Sequence, residues 1–156
     1  MRLLIASVGH KMPGWITEGY GEYAKRMPRE ARIELIEIKP EPRTTGKNTS
    51  QIMEAEAQRI SSALPQNCTR IALDERGEAV TTRRLSESMK EWMSEGRDVA
   101  FILGGADGLH DSVKKDAHRM ISLSSCTLPH GLVRVLLAEQ LYRAYSLMHN
   151  HPYHRE

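Results

Sequence analysis

Short apolar segments alternate with helical segments along the whole chain, and this alternation limits the fold more than any other feature of the sequence. Apolar runs typical of buried strands occupy residues 3–8, 33–38, 70–74, 99–103 and 120–123. Helical spacing or capping signals follow each run, at about 16–27, 49 or 50 to 64, 82–95, 107–118 and 132–149. Strands that alternate with helices predict an α/β fold with a mostly parallel sheet covered on both faces.

Local signals refine several of these boundaries. Thr49 and Ser50 offer N-cap chemistry for the second helix, and Gly96 ends the third. Residues 75–78 (ERGE) indicate a turn after the third strand. No linker, low-complexity segment or repeat divides the sequence, so we expect one domain over residues 1–156.

Composition excludes several classes of protein. A chain of 156 residues with 40% hydrophobic residues can bury a core without disulfides or metals. Its two cysteines are far apart and residues 1–7 lack the pattern of a signal peptide, so we expect the reducing cytoplasm. Charges or glycines interrupt every apolar run well short of the roughly 20 residues that span a bilayer, so we expect no membrane role.

The charge of the chain is nearly balanced, but its basic residues are unevenly distributed. A formal net charge of +2 does not by itself mark a protein that binds nucleic acid. Basic residues gather at 25–32, in the loop that carries Arg43 and Lys47, and at Arg155. Each group is consistent with either a solvated surface or a contact to RNA.

The last predicted helix, residues 132–149, is apolar on nearly all sides. Only Arg134, Glu139 and Arg143 interrupt a series of leucine, valine, tyrosine and methionine residues. A helix that lies on one sheet needs a single apolar stripe, so this one requires a second cover. A second copy of the chain is the simplest cover, and we expect a homodimer.

A glycine-rich turn, residues 104–108 (GGADG), follows the fourth strand. In open α/β sheets ligands bind beyond the carboxyl ends of the strands, where glycines let the backbone approach them. The turn lacks the glycine spacing of a dinucleotide site and the lysine of a phosphate-binding loop. It is consistent with either a cofactor site or a tight strand-to-helix connection.

The segment 123–131 (LSSCTLPHG) is rich in small hydroxyl residues. Its backbone groups suit a purine edge and a ribose, and Leu128 supplies an apolar wall. An ordinary capped loop is the alternative.

The tail, residues 150–156, combines histidines with Tyr153 and Arg155, which suit a nucleotide substrate. The spacing of its histidines matches no zinc pattern, so we expect no metal site.

Taken together, these segments resemble the RlmH family of SPOUT methyltransferases over almost the whole chain. The matching stretches are 8–13 (VGHKMP), 96–98 (GRD), 103–109 (LGGADGL), 122–124 (SLS), 127–130 (TLPH), 132–135 (LVRV), 138–144 (AEQLYRA) and 151–155 (HPYHR). No single stretch is specific, but their order and spacing are.

The resemblance implies a C-terminal trefoil knot, an exception to the rule against knotted chains. It also implies a homodimer that methylates N3 of a pseudouridine in large-subunit ribosomal RNA, on the assembled ribosome. S-adenosylmethionine would bind bent in the knot, held by Leu73, Gly104, Gly105, Leu123, Ser124, Ser125, Cys126, Thr127 and Leu128.

Methyl transfer to N3 requires loss of the imide proton, which His154 can accept. Arg155 or Arg134 would stabilise the developing negative charge, and Tyr153 would stack on the base. Arg143 lies four residues after Glu139, so it forms either a structural ion pair or a substrate contact. The rival hypotheses are a non-catalytic ribosome-binding factor and a nucleotide-dependent oxidoreductase, and the glycine spacing argues against the second.

Overall fold

Five parallel strands form one sheet in the computed structural model, which describes residues 1–9, 11–44 and 46–155. The strands are β1 (Arg2–Val8), β2 (Arg32–Ile38), β3 (Thr69–Ala79), β4 (Val99–Leu103) and β5 (Arg119–Ser122). Their order is β2-β1-β4-β3-β5, and every adjacent pair is parallel. The predicted α/β class and parallel sheet are confirmed.

Four α-helices connect the strands, a fifth follows β5, and together they cover both faces of the sheet. They are α1 (Gly14–Ala24), α2 (Thr49–Ala63), α3 (Thr82–Glu95), α4 (Asp111–Asp116) and α5 (His130–Met148), and a short 3-10 helix spans Arg29–Ala31. Helices α1, α3 and α5 pack on one face and α2 and α4 on the other.

Side-chain alternation along the strands divides the core into two clusters. In β4, Val99 and Phe101 face the α1–α3–α5 layer, whereas Ala100 and Ile102 face the α2–α4 layer. All five residues of β4 are buried, as expected for the central strand of a doubly covered sheet.

The predicted N-cap of α2 was wrong by one or two residues. Asn48, rather than Thr49 or Ser50, caps the helix, since its side-chain oxygen accepts from the Gln51 backbone N–H at 2.8 Å. The Gln51 side chain accepts in return from the Asn48 N–H at 3.0 Å, which completes a capping box. Gly96 ends α3 in the left-handed conformation, as predicted.

The helix predicted from residue 107 begins later, at Asp111. Gly105 and Gly108 form an isolated antiparallel bridge, and the Gly108 N–H donates to the Gly105 carbonyl at 3.0 Å. Gly108 has a φ of +82°, which ends any helical course through the turn. His110 then caps α4 by accepting from the Ser112 N–H.

The turn predicted at residues 75–78 lies inside β3. The strand pairs with β5 through Leu73, leaves the register, and pairs again at Glu78 and Ala79. Gly77 fits here because a Cβ atom would come within 2.7 Å of the Ile121 backbone. Smaller differences concern α1, which ends at Ala24 rather than Met27, and α5, which spans His130–Met148 rather than 132–149.

Helix α5 is anchored by the buried side chain of Arg134, which is 2% exposed. Its guanidinium donates to the Ser7 hydroxyl at 3.0 Å and to the Gly9 carbonyl at 3.0 Å. It also pairs with Glu37 of β2 at 3.2 Å. One side chain therefore ties the first turns of α5 to the carboxyl ends of two strands.

Replacing Arg134 by Met should lower the free energy of unfolding by about 2–4 kcal/mol, because buried hydrogen bonds to a charged group contribute about 1.5–3 kcal/mol each. Urea denaturation measures the change. Glu37→Gln is the matched control, since Glu37 is 47% exposed and should cost less than about 1 kcal/mol. Unchanged stability of the Met variant would contradict the anchoring role of Arg134.

Candidate functional site

A cavity of about 470 Å³ opens at the carboxyl ends of β3, β4 and β5. Three segments form its walls: residues 73–76 of β3, the glycine-rich turn 103–109, and residues 121–130 before and at the start of α5. Its volume falls within the range of small-molecule and cofactor sites, and its position is where open parallel sheets bind ligands.

Eight of the nine residues that sequence reasoning assigned to a cofactor line this cavity, and Ser125 does not. The eight are Leu73, Gly104, Gly105, Leu123, Ser124, Cys126, Thr127 and Leu128. Leu73 and Leu128, which are 55 positions apart in the sequence, thus line one space, although the binding role of these residues stays a prediction.

The glycine-rich turn is shaped by close backbone packing. A Cβ atom on Gly104 would lie 2.5 Å from the Gly108 carbonyl carbon and 2.9 Å from the Leu109 nitrogen. The smallness of Gly104 is therefore required by the turn itself. The segment is therefore a tight strand-to-helix connection that also forms a wall of the cavity, and its cofactor role stays a prediction.

An acidic wall, which sequence reasoning missed, faces this turn. Asp74 and Glu75 line the cavity, and Glu75 accepts a hydrogen bond from the Thr127 hydroxyl at 3.2 Å. Asp74 pairs with Lys114 at 3.1 Å. The signal available in the sequence was their position directly after the apolar run of β3.

The pKa of Asp74 lies below its ordinary value. Partial burial acts to raise it, but the hydrogen bonds from the Arg76 backbone N–H and from Lys114, together with the charge of Lys114, outweigh burial. The carboxylate is therefore ionised at neutral pH and forms an ion pair with Lys114 in this wall.

The loop between β5 and α5 is held in shape by its own hydroxyls. Ser122 donates to the Ser124 carbonyl at 2.8 Å, and the Ser124 hydroxyl accepts from the Cys126 N–H at 2.9 Å. The Cys126 side chain is exposed. These local bonds preorganise the wall without using the Thr127 backbone.

The tail folds back onto α5 of its own chain. Asn150 adopts a left-handed φ of +53°, and the His151 N–H donates to the Ser146 carbonyl at 2.9 Å. This reversal brings the Tyr153 ring to 4.7 Å from the Tyr142 ring and its hydroxyl to 3.0 Å from Glu139. The tail is thus an ordered element, with Glu156 outside the described residues.

Glu139 joins the tail to Arg143. The Arg143 guanidinium pairs with Glu139 at 2.5 Å and lies 4.7 Å from the centre of the Tyr153 ring. The ion pair between positions 139 and 143, one of the two alternatives for Arg143, is therefore present. Burial, and then the hydrogen bond to Glu139, raise the pKa of Tyr153 to about 12, so its phenol is protonated at neutral pH.

The structure does not bring together all of the residues assigned to catalysis. Tyr153, His154 and Arg155 lie in the tail, and no described tail residue lines the cavity of the same chain. Arg134 is buried beneath α5, with its guanidinium on Ser7, Gly9 and Glu37. His10, which belongs to the matching stretch 8–13, lies outside the described residues.

Among residues 1–9, 11–44 and 46–155, no group of histidine, cysteine and acidic side chains is placed to hold a metal ion. No helix in the same part of the chain is long and apolar enough to cross a membrane.

Comparison with known proteins identifies the family. The family model described as a predicted SPOUT methyltransferase matches residues 1–154. A ribosomal RNA large subunit methyltransferase H of Ralstonia pickettii is 61% identical over 155 residues, which cover 99% of each chain. The protein of that name from Nitrosomonas eutropha is 59% identical with the same coverage.

The fold has counterparts among solved structures. A probable methyltransferase from Bordetella pertussis Tohama I superposes with a TM-score of 0.58 at 17% identity, over 92% of this chain and 93% of that chain. At that identity the likeness concerns the fold alone, and it agrees with the parallel sheet described above. Through its nearly full-length match to the family model, this chain belongs to the SPOUT methyltransferase family.

Proposed function

We propose that this protein transfers a methyl group from S-adenosylmethionine to N3 of a pseudouridine in large-subunit ribosomal RNA. It acts as a cytoplasmic homodimer on the assembled ribosome. The observation that carries the proposal is the cavity at the ends of β3, β4 and β5, where eight of the nine predicted cofactor residues converge. Relatives named ribosomal RNA large subunit methyltransferase H support the substrate class.

The residues around the cavity fit S-adenosylmethionine. The small hydroxyls and backbone of residues 123–128 suit the adenosine, and Leu73, Leu123 and Leu128 supply apolar walls. The ionised Asp74 and the adjacent Glu75 suit a ligand that carries a positive sulfonium and ammonium group. When bound, S-adenosylmethionine supplies the methyl group. A trefoil knot around residues 123–128 stays a prediction.

A homodimer is supported by the outward side of α5. Its inner side is fully buried by Leu137 and Leu141. Leu132, Leu136 and Leu147 are only half-buried and lie outside both core clusters of the described chain. A second copy would cover them.

The tail supplies the groups for the reaction. His154 accepts the N3 proton, Arg155 balances the charge that the deprotonated base carries, and Tyr153 stacks on the base. Because the described tail residues lie on α5 and away from the cavity of their own chain, we infer a composite site. The tail of one subunit serves the cavity of the other.

Cytoplasmic location is supported by the state of the cysteines. Cys68 and Cys126 are both free, as expected of a protein in a reducing compartment. Arg134 would contribute to the reaction by positioning, because its guanidinium holds the start of α5 beside His130 of the cavity.

Gly104→Ala should weaken the binding of S-adenosylmethionine at least tenfold, because a Cβ atom 2.5 Å from the Gly108 backbone forces the turn out of shape. Titration calorimetry with S-adenosylmethionine measures this affinity. The matched control is Gly21→Ala in α1, where a Cβ atom meets nothing within 4 Å. This substitution should stabilise the fold by about 0.4–1 kcal/mol.

The same titration on the wild-type protein, together with a methylation assay, tests the proposed function. The wild-type protein should bind S-adenosylmethionine and methylate large-subunit rRNA in ribosomes that lack the modification. A wild-type protein that shows no measurable binding of S-adenosylmethionine would rule out the proposal. Normal binding by the Gly104→Ala variant would show that the glycine-rich turn is not part of the cofactor site.

Leu136→Asp should convert the dimer to a folded monomer, since it places a charge on the half-buried outer side of α5. Sedimentation measures the mass and circular dichroism checks the fold. Lys90→Asp, on the exposed side of α3, should remain dimeric. A wild-type protein that sediments as a monomer at micromolar concentration would contradict the proposed dimer.

Mixed dimers should reveal whether the active site is composite. One subunit carries Leu128→Trp, which fills the cavity, and the other ends at Pro152 and lacks the reactive tail. Each homodimer should be folded and inactive, and the heterodimer should regain methylation at one site because the intact tail meets the intact cavity. A folded but inactive heterodimer would place the tail in the site of its own chain.

A further inference from the structure

A basic loop, residues 39–48, joins β2 to α2, and contacts of its described residues fix its position. Of its residues, all but Thr45 are described. The Glu41 backbone N–H donates to the Glu56 carboxylate at 3.1 Å, and the Glu41 carboxylate pairs with Lys47 and Arg59. These contacts hold Glu41 and Lys47, on either side of Arg43 in the sequence, in place.

Arg43 bridges this loop to the glycine-rich turn. Its guanidinium lies 2.5 Å from the carboxylate of Asp107, which lines the cavity. The Arg43 side chain is nevertheless 57% exposed. An ion pair in such a position contributes only about 0.2–1 kcal/mol, so another anion can replace the carboxylate at little cost.

Basic side chains lie at both ends of the sheet, but only those at the carboxyl end lie on the side where the cavity opens. At the amino end, Arg2 pairs with Asp98 at 2.7 Å and Arg97 pairs with Glu95 at 3.2 Å. At the carboxyl end, Lys11 follows β1 and Arg76 lines the cavity, and both side chains are exposed. Arg43 lies at this same end, where a polyanionic substrate must approach a cavity lined by Asp74, Glu75 and Asp107, so exposed basic side chains there offset the repulsion from these carboxylates.

We propose that the loop 39–48 is a contact site for the phosphate backbone of the RNA substrate, and that Arg43 exchanges Asp107 for a substrate phosphate. A guanidinium presents five donors in a planar fork that matches a phosphate, and one ion pair leaves most of them available. The proposal rests on the proposed function, because it takes ribosomal RNA as the substrate.

The salt dependence of ribosome binding tests this assignment. Arg43→Ala should reduce the affinity for purified ribosomes up to about fivefold and lower the slope of log K against log salt by about one. Its affinity for S-adenosylmethionine, measured without RNA, should be unchanged. Arg97→Ala is the matched control, since Arg97 is 56% exposed, is also paired with a carboxylate, and lies at the other end of the sheet.

A second variant, Asp107→Asn, tests whether Arg43 contacts a phosphate or only holds the loop against the glycine-rich turn. If Arg43 only fastens the loop, both variants break the same ion pair and should weaken ribosome binding equally. If Arg43 binds phosphate, Asp107→Asn frees it, and ribosome affinity without cofactor should stay at or above that of the wild type.

Equal losses in the two variants, wild-type ribosome binding by Arg43→Ala, or a loss of S-adenosylmethionine affinity in that variant would each overturn the proposal. If the wild-type protein methylates rRNA but Arg43→Ala and Arg97→Ala bind ribosomes equally well, only this inference is wrong. A wild-type protein that fails to bind S-adenosylmethionine would instead remove the proposed function.

Discussion

The buried guanidinium of Arg134 is the interaction on which the arrangement of the site depends. It fastens α5 to the Ser7 hydroxyl and the Gly9 carbonyl, at the carboxyl end of β1. The position of α5 determines where the preceding loop ends, and that loop forms one wall of the cavity. The other end of the same helix carries the chain reversal at Asn150 that directs the tail. One buried side chain thus helps to set the positions of the loop and the tail, the two segments to which the proposed function assigns the cofactor and the substrate.

The periodicity of the sequence predicted the strands well because each is apolar and lies in a doubly covered sheet. It failed where backbone bonds, rather than side-chain patterns, decide the structure. The bridge between Gly105 and Gly108 delays α4 to Asp111, and the renewed pairing of β3 at Glu78 turns an expected loop into strand. Such features depend on contacts across the fold, which local propensity does not contain.

The candidate site was predicted in part by resemblance and in part by position after the strands. Eight of the nine expected cofactor residues line one cavity because the parallel strands deliver their carboxyl ends to the same edge. The acidic wall was missed although Asp74 and Glu75 directly follow the apolar run of β3. The pairing of Arg43 with Asp107, 64 residues apart, could not be predicted. Neither could the burial of Arg134, since a charged residue on a helix is ordinarily exposed.

The closed glycine-rich turn has a consequence for sequence variation in this protein. Its shape is fixed by the Gly108 N–H on the Gly105 carbonyl and by close contact of Gly104 with the Gly108 backbone. The two residues between these glycines, Ala106 and Asp107, are not required for that closure, yet both line the cavity. Selection can therefore alter the polarity of this wall one residue at a time, while the scaffold that supports it remains intact.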